Sequence, residues 1–344
     1  LTNWYVRFNR RRLKGEESDE DTTHSLNTLF EVLLTLCRLM APFTPFLTET
    51  MYQSLKAHIP AGFFEGDARS VHFVPFPEVR EEYFDADIER AMTRMQAVIE
   101  LGRAIRERNN ISLKMPLLEL VVIHPSAEYL DDVRGLSKYI TEELSLRSLE
   151  LSSDEAKYGI KYRAEADFKR LGAKLRSDMP RVKKALPDVP SADVKAALAS
   201  GRLVVDGIAL GADDINVVRF FDALSLEDKA RRFEEDTDKE VVVLLDVEKR
   251  DDLIREYNAR EVSNRVQRLR KKAGLSPVDD VQYYFQIVHD PEGALASVFD
   301  AQEEHLARLV KQPIRPMSAR PAGAFVEEEQ EVNDAKFVLA FVRL

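Results

Sequence analysis

Apolar positions recur at a helical spacing through the first third of the chain. Placed at about 100° per residue, Leu1, Trp4, Tyr5 and Phe8 share one side of a helix predicted over residues 1–14. Asn3, Arg7, Arg10, Arg11 and Lys14 take the other side. Arg12 projects among the aromatics, where it is expected to pair with a carboxylate. Gly15 and the acidic run "GEESDEDTTHS" break this helix and predict a solvated loop. A long apolar period over residues 25–58 is interrupted by Pro42 and Pro45, which predicts two helices joined at a proline corner. "AGFFEGDARSVHFVPFP" predicts a loop, and residues 85–110 a further helix with Ile88, Met92, Met95, Ile99 and Ile105 among its apolar positions. The opening 116 residues thus predict an all-α bundle.

The period changes at Leu117. "LLELVVI", bounded by Pro116 and Pro125, predicts a strand. "AEYLDDVRGLSKYITEEL" predicts a helix, "SLRSLEL" and "GIKYRAEADF" strands, and residues 168–186 and 191–199 helices. "GRLVVDGIAL" predicts a hairpin turning at Asp206–Gly207, and "DINVVRFF" another strand. A charged stretch, "SLEDKARRFEEDTDKE", predicts a boundary. Beyond it come a strand at "VVVLLDV", a long helix over 249–273, a strand at "VQYYFQIVHD", a helix near 302–311, a Pro-rich loop, the acidic run "EEEQE" and a last strand, "AKFVLAFVRL". The expected class is α+β and multidomain: a helical bundle over 1–116, an α+β junction domain over 117–235 and a C-terminal α+β domain over 236–344.

Composition sharpens this. A chain of 344 residues with 44% hydrophobic and 32% charged residues has the make-up of a soluble globular protein of two or three domains. No apolar run approaches the roughly 20 residues needed to span a bilayer, and no signal peptide is recognisable. The chain opens without Met inside a helical pattern, and is therefore expected to be a piece of a longer protein. Its single cysteine, Cys37, excludes an internal disulfide and a cysteine cage for zinc, and its apolar setting predicts a core position. The six histidines are scattered, so no metal site is expected. A formal charge of −10 argues against a protein coated in nucleic acid, but allows a large nucleic acid held at a few basic faces.

Two such faces stand out. "LTNWYVRFNRRRLK" carries five cations and no acid. A ridge of like charge repels itself unless something anionic meets it, and planar guanidinium groups suit phosphates. "AREVSNRVQRLRKKAG" repeats the chemistry: Val262, Val266, Leu269 and Ala273 line one side, while Arg260, Arg265, Arg268, Lys271 and Lys272 cover the other. Arg103, Arg106, Arg108 and Lys114 form a third basic group near a helix end. Catalytic motifs are missing. There is no Gly-rich phosphate loop, no nucleophile elbow and no recognisable acid–base pair. "SLKMPL" is only superficially like an ATP-binding lysine signature, and Lys114 is expected to be a loop cation.

The segments "IRERNNISLKMPLLELVVI" and "LRKKAGLSPVDDVQYYFQI" align without a gap, matching Arg106 to Arg270, Arg108 to Lys272 and Asn110 to Gly274. Cations favour helix C-termini, and Asn or Gly favours the cap. The match therefore does not by itself establish a duplication.

"NWYVRFNRRRLKG", "LCRLMAPFTPFLTETMYQSL", "SVHFVPFP" and "AREVSNRVQRLRKKAGL" together resemble the isoleucyl-tRNA synthetases of the cytosolic, eukaryotic and archaeal type. The resemblance covers essentially the whole chain. It implies the C-terminal, tRNA-binding part of a class I enzyme that activates isoleucine with ATP and magnesium and transfers it to tRNA. The family's His-x-Gly-His and Lys-Met-Ser-Lys-Ser motifs are missing from this sequence, as is the editing domain, so the chain alone is expected to lack both chemistries and to hold no cofactor. The zinc knuckle of bacterial relatives is not matched either. By the resemblance, Arg7, Arg10, Arg11, Lys14, Arg103, Arg106, Arg108, Lys114, Arg265, Arg268, Lys271 and Lys272 are the expected tRNA contacts. The implied partners are isoleucine tRNA, the catalytic body of the enzyme and other synthetases, in the cytoplasm and without a membrane. Two alternatives stay open: the equivalent region of a valyl or leucyl enzyme, and a protein-docking module of a multi-synthetase assembly using the acidic runs at 16–21 and 327–331.

Overall fold

A computed structural model of the chain describes residues 1–166, 171, 175, 178–222, 232–238, 240–276, 279–291, 293–301 and 303–343. These form two compact units, Leu1–Glu89 and Arg90–Leu344, within an α+β chain.

The first unit is helical. Wide π-type turns over Thr2–Val6 lead into α1 (Arg10–Leu13). The acidic run that follows is a loop only as far as Ser18. Asp19, Glu20 and Asp21 form the first turn of α2 (Asp19–Met40), and the Ser18 side chain accepts from the Asp21 N–H. The expectation of a loop through this run fails because carboxylates at a helix N-terminus meet its unpaired N–H groups and dipole. Pro45 opens α3 (Pro45–Lys56) at its first turn, where a missing N–H costs nothing. Leu34, Cys37, Ala41, Tyr52, Val71 and Val74 make the core, with the Tyr52 hydroxyl donating to Ala68 O at 2.8 Å. At and just beyond the corner, Phe43, Phe46 and Leu47 are 77%, 89% and 61% exposed.

In the second unit, α4 (Ala86–Arg108, assigned to this unit from Arg90) runs into β1 (Leu117–Ile123). Two short helices, α5 (Ala127–Gly135) and α6 (Ser137–Glu143), replace the single helix expected there, breaking at Leu136. The chain then returns as β2 (Leu146–Ser152), parallel to β1. On the other side of β1 lies β8 (Val242–Asp246), antiparallel, and β7 (Phe233–Thr237) pairs β8 at the outer edge. This sheet takes strands from both sides of residue 235. The charged boundary stretch lies outside the described residues as far as 231, and from Phe233 it is strand.

Between β2 and β7 sits a separate layer. β3 (Ile160–Ala166) pairs antiparallel with β6 (Ile215–Phe221). Between them come α7 (Met179–Ala185), α8 (Ser191–Ser200) and the hairpin β4 (Arg202–Val205) and β5 (Ile208–Gly211). Asp206 and Gly207 both have positive φ, 50° and 79°, as a two-residue type I′ turn requires. Of the helix expected over 168–186, most of 167–177 lies outside the described residues.

The rest of the unit opens with α9 (Asp251–Lys272) and continues through β9 (Val281–His289), α10 (Ala294–Ala301), α11 (Glu303–Val310) and β10 (Ile314–Pro316). It closes with β11 (Val326–Val332) and β12 (Ala335–Arg343). β9 is flanked by β10, parallel, and β12, antiparallel, with β11 outside β12. Val262, Val266, Leu269, Val298, Phe337 and Phe341 are in its core. The acidic run 327–331 therefore lies in an edge strand. Its backbone pairs with β12 while charge on an edge discourages further pairing. Among the described residues, no helix is long and apolar enough to cross a membrane.

Candidate nucleic-acid interface

The opening helix separates its charges as its period requires. Arg7, Arg10, Arg11 and Lys14 are exposed. Arg11 and Lys14 reach Glu16 only at 3.6 and 3.9 Å, through solvent-exposed contacts worth little. Arg12 turns inward: Nε and Nη2 meet Asp21 at 2.7 and 2.6 Å, and Nη1 meets Asn9 Oδ1 at 2.7 Å. The carboxylate partner expected for Arg12 is thus Asp21. Half-buried Trp4 and Phe8 pack edge to face at 5.3 Å, and the Tyr5 hydroxyl donates to Ser25 O.

The group near the end of α4 behaves differently. Arg106 is 1% exposed. Its Nη1 donates to the Ser112 and Met115 carbonyls at 2.8 and 3.0 Å, and its Nη2 donates to Leu144 O. Burial lowers its pKa to about 10. The expectation that Arg106 faces a phosphate is corrected: its charge is used inside, shared among the Ser112, Met115 and Leu144 carbonyls, because buried carbonyls need donors. Arg103 is half-buried against Glu143 at 2.5 Å. Arg108 donates to Glu235 O and lies 3.7 Å from Asp236. Lys114 is a loop cation as expected, and meets Glu261 at 3.2 Å.

On α9 the ridge is divided. Glu261 is buried and holds Arg265 at 2.8 Å as well as Lys114. Burial raises the Glu261 pKa, but hydrogen bonds from Arg265, Lys114 and Asn264 bring it below the ordinary value. Arg265 also donates to Glu331 O at 2.9 Å, Arg260 pairs with Glu256 at 2.7 Å, and Lys272 pairs with Glu328. The side chains of Arg268 and Lys271 are exposed and make no hydrogen bond or ion pair with any described residue.

One feature of the first unit was missed in the sequence. A groove of about 1100 Å³ opens between α2 and the 63–84 segment, lined by Arg38, Phe63, Phe64, Phe76, Arg80 and Tyr83 among others. Phe63, Phe76 and Tyr83 are more than half exposed. Arg38 lies over the Phe64 ring and Arg80 over the Tyr83 ring, both at 5.2 Å. Arg38 is held by Pro75 O at 2.9 and 2.7 Å, and Arg80 by Glu31. Ring faces and guanidinium planes are the surfaces on which unstacked bases settle. The signal was the density of aromatics in "FVPFPEVREEYF", which has no helical or strand period to explain it. Among the described residues, no three His, Cys, Asp or Glu side chains converge to hold a metal ion.

Residues 1–122 match the family described as the anticodon-binding domain of tRNA ligase. The chain is 47% identical to the cytoplasmic isoleucine–tRNA ligase of Schizosaccharomyces pombe over 345 residues, covering 100% of this chain and 32% of that protein. For the cytoplasmic enzyme of Saccharomyces cerevisiae the figures are 45% over 350 residues, 100% and 32%. For that of Mus musculus they are 45% over 332 residues, 96% and 26%. The chain spans about a third or less of the length of these curated relatives.

Proposed function

We propose that the chain, matched along its whole length by cytoplasmic isoleucine–tRNA ligases, is the region of such an enzyme that holds the anticodon stem-loop of isoleucine tRNA. The helical bundle expected over 1–116 would be the class I anticodon-binding bundle, and α+β domains would follow it, with the boundary expected at 235/236 moved beyond β8 because the sheet β2-β1-β8-β7 runs across it. The ridge of Arg7, Arg10, Arg11 and Lys14 would meet backbone phosphate, as would exposed cations of α9. The Phe63, Phe76 and Tyr83 groove would receive bases turned out of the loop. Phosphate contacts fix register, whereas contacts to bases carry the sequence information.

Isoleucine activation with ATP and magnesium, and its transfer to tRNA, would belong to the two-thirds of the relatives' length outside the match. This chain would supply affinity and tRNA choice, working in the cytoplasm beside the catalytic body and, in assemblies, other synthetases. The observation that carries the reading is the anticodon-binding match over residues 1–122, whose first helix exposes four cations on one side. The acidic runs that favoured a docking module are a helix N-terminus and a paired strand.

Binding to isoleucine tRNA across a salt series, beside a tRNA with a changed anticodon, tests this. A log–log slope of several units is expected, at roughly 0.7–0.9 per phosphate contact. The changed anticodon is expected to weaken binding by about 1–3 kcal/mol per lost stacking contact. No binding at the lowest salt would overturn the reading.

A further inference from the structure

The two four-stranded sheets of the second unit share one plan. Each follows a long helix, α4 or α9, and places its first strand centrally. Two short helices lead to a parallel strand on one side, and an antiparallel pair closes the other: β2-β1-β8-β7 and β10-β9-β12-β11. The β3–β6 layer is an insertion in the first copy. Its ends meet where Asp222 N donates to Gly159 O at 2.9 Å.

The correspondence holds residue by residue around the helix end at an offset of 164 residues. The Ile111 N–H donates to Arg106 O and the Leu275 N–H to Arg270 O, at 2.9 and 3.0 Å. Asn110 and Gly274, with φ of 53° and 71°, turn the chain at equivalent places. Arg106 donates to the carbonyls of Ser112 and Met115; buried Arg270 donates to those of Ser276 and Asp279, the same two loop positions. Arg108 engages acidic β7 through Asp236, and Lys272 engages acidic β11 through Glu328.

The copies therefore act as an internal control. Cations present in both, Arg106 with Arg270 and Arg108 with Lys272, belong to the scaffold. Where the second copy has Arg268 and Lys271, the first has Ala104 and Glu107. Neither the helix dipole nor the sheet requires a cation at these positions, since the first copy folds the same way without one. Being three apart on a helix, the two exposed cations are neighbours about 5–6 Å apart between Cβ atoms, and they repel each other without an anion. We infer that the module is duplicated and that its second copy has acquired, at Arg268 and Lys271, a docking face for RNA backbone phosphates. This rests on the tRNA-binding reading above and narrows the α9 contacts to these two residues.

The test replaces Arg268→Ala and Lys271→Glu in the full-length protein, putting in the first copy's residues. Arg202→Ala with Lys184→Glu, the same charge change on the inserted layer, is the control. The expected result is a roughly tenfold loss of tRNA affinity and a salt slope smaller by about 1.4–1.8, with an unchanged melting temperature and an unaffected control. Wild-type binding with a steep slope that the α9 variant leaves unaltered would overturn this inference alone. So would an equal loss in the control. Failure of the wild-type protein to bind tRNA would overturn the reading beneath it as well.

Discussion

Truncating Arg106 would leave three carbonyl oxygens, those of Ser112, Met115 and Leu144, without their shared donor. Arg106→Ala is therefore expected to cost about 2–4 kcal/mol in urea unfolding, and Arg106→Lys less, because one ammonium reaches fewer of the three. Asp132 presents the opposite chemistry. Hydrogen bonds from Arg90 and then Arg94, at 2.8 and 2.6 Å, hold its carboxyl below the usual range despite its partial burial. Its contribution should be complete above the unfolded value of about 3.9 and be lost as pH falls through the lower folded value. Asp132→Asn is expected to cost roughly 1–2 kcal/mol at pH 7 and close to nothing at the acid end, as read from unfolding at both. That Arg12 meets a carboxylate was legible in the sequence, because a cation set among Trp4, Tyr5 and Phe8 must be neutralised; that the carboxylate is Asp21 was not. The inward turn of Arg106 was not. A cation near a helix end can point to water or back over the loop, and the carbonyls that decide lie as far away as Leu144.

Elements with a clean period could be read directly: the proline corner, the Asp206–Gly207 hairpin, β1, β9 and both long helices. The failures have specific causes. The acidic run after Gly15 read as loop, yet Asp19–Asp21 complement the start of α2. α10, with the sequence "ALASVFDA", is too apolar and too short to show a polar face. The cap of α4 gives a sharper check on an element. Asn110 occupies the left-handed region that Gly274 occupies in the second copy. Asn110→Gly should leave stability within about 0.5 kcal/mol, whereas Asn110→Val should lower it by about 1–2 kcal/mol, measured by thermal unfolding.

At the scale of the molecule, the insertion should be separable from its host. Tyr162 and Arg219 face each other in the β3–β6 register, so an Asn-Gly turn can join them in place of residues 163–218. The shortened protein is expected to stay soluble and to unfold in a cooperative transition. Loss of cooperativity would show that the first module needs its insert. The helix–strand signature at the start of each copy was visible in the sequence, but the shared sheet order was not, since roughly 80 residues, the insertion among them, separate β2 from β7.

The proline corner has a last consequence, for handling and for life in the cell. Phe43, Phe46 and Leu47 form a greasy knuckle with no cover from the rest of the first unit. Apolar clusters left in water at cellular concentration invite aggregation or capture by chaperones. Produced by itself, the chain should self-associate as its concentration rises, and Phe43→Ser with Phe46→Ser should shift it toward monomer in analytical ultracentrifugation. A monomer at every concentration without those changes would mean that the knuckle is harmless in water.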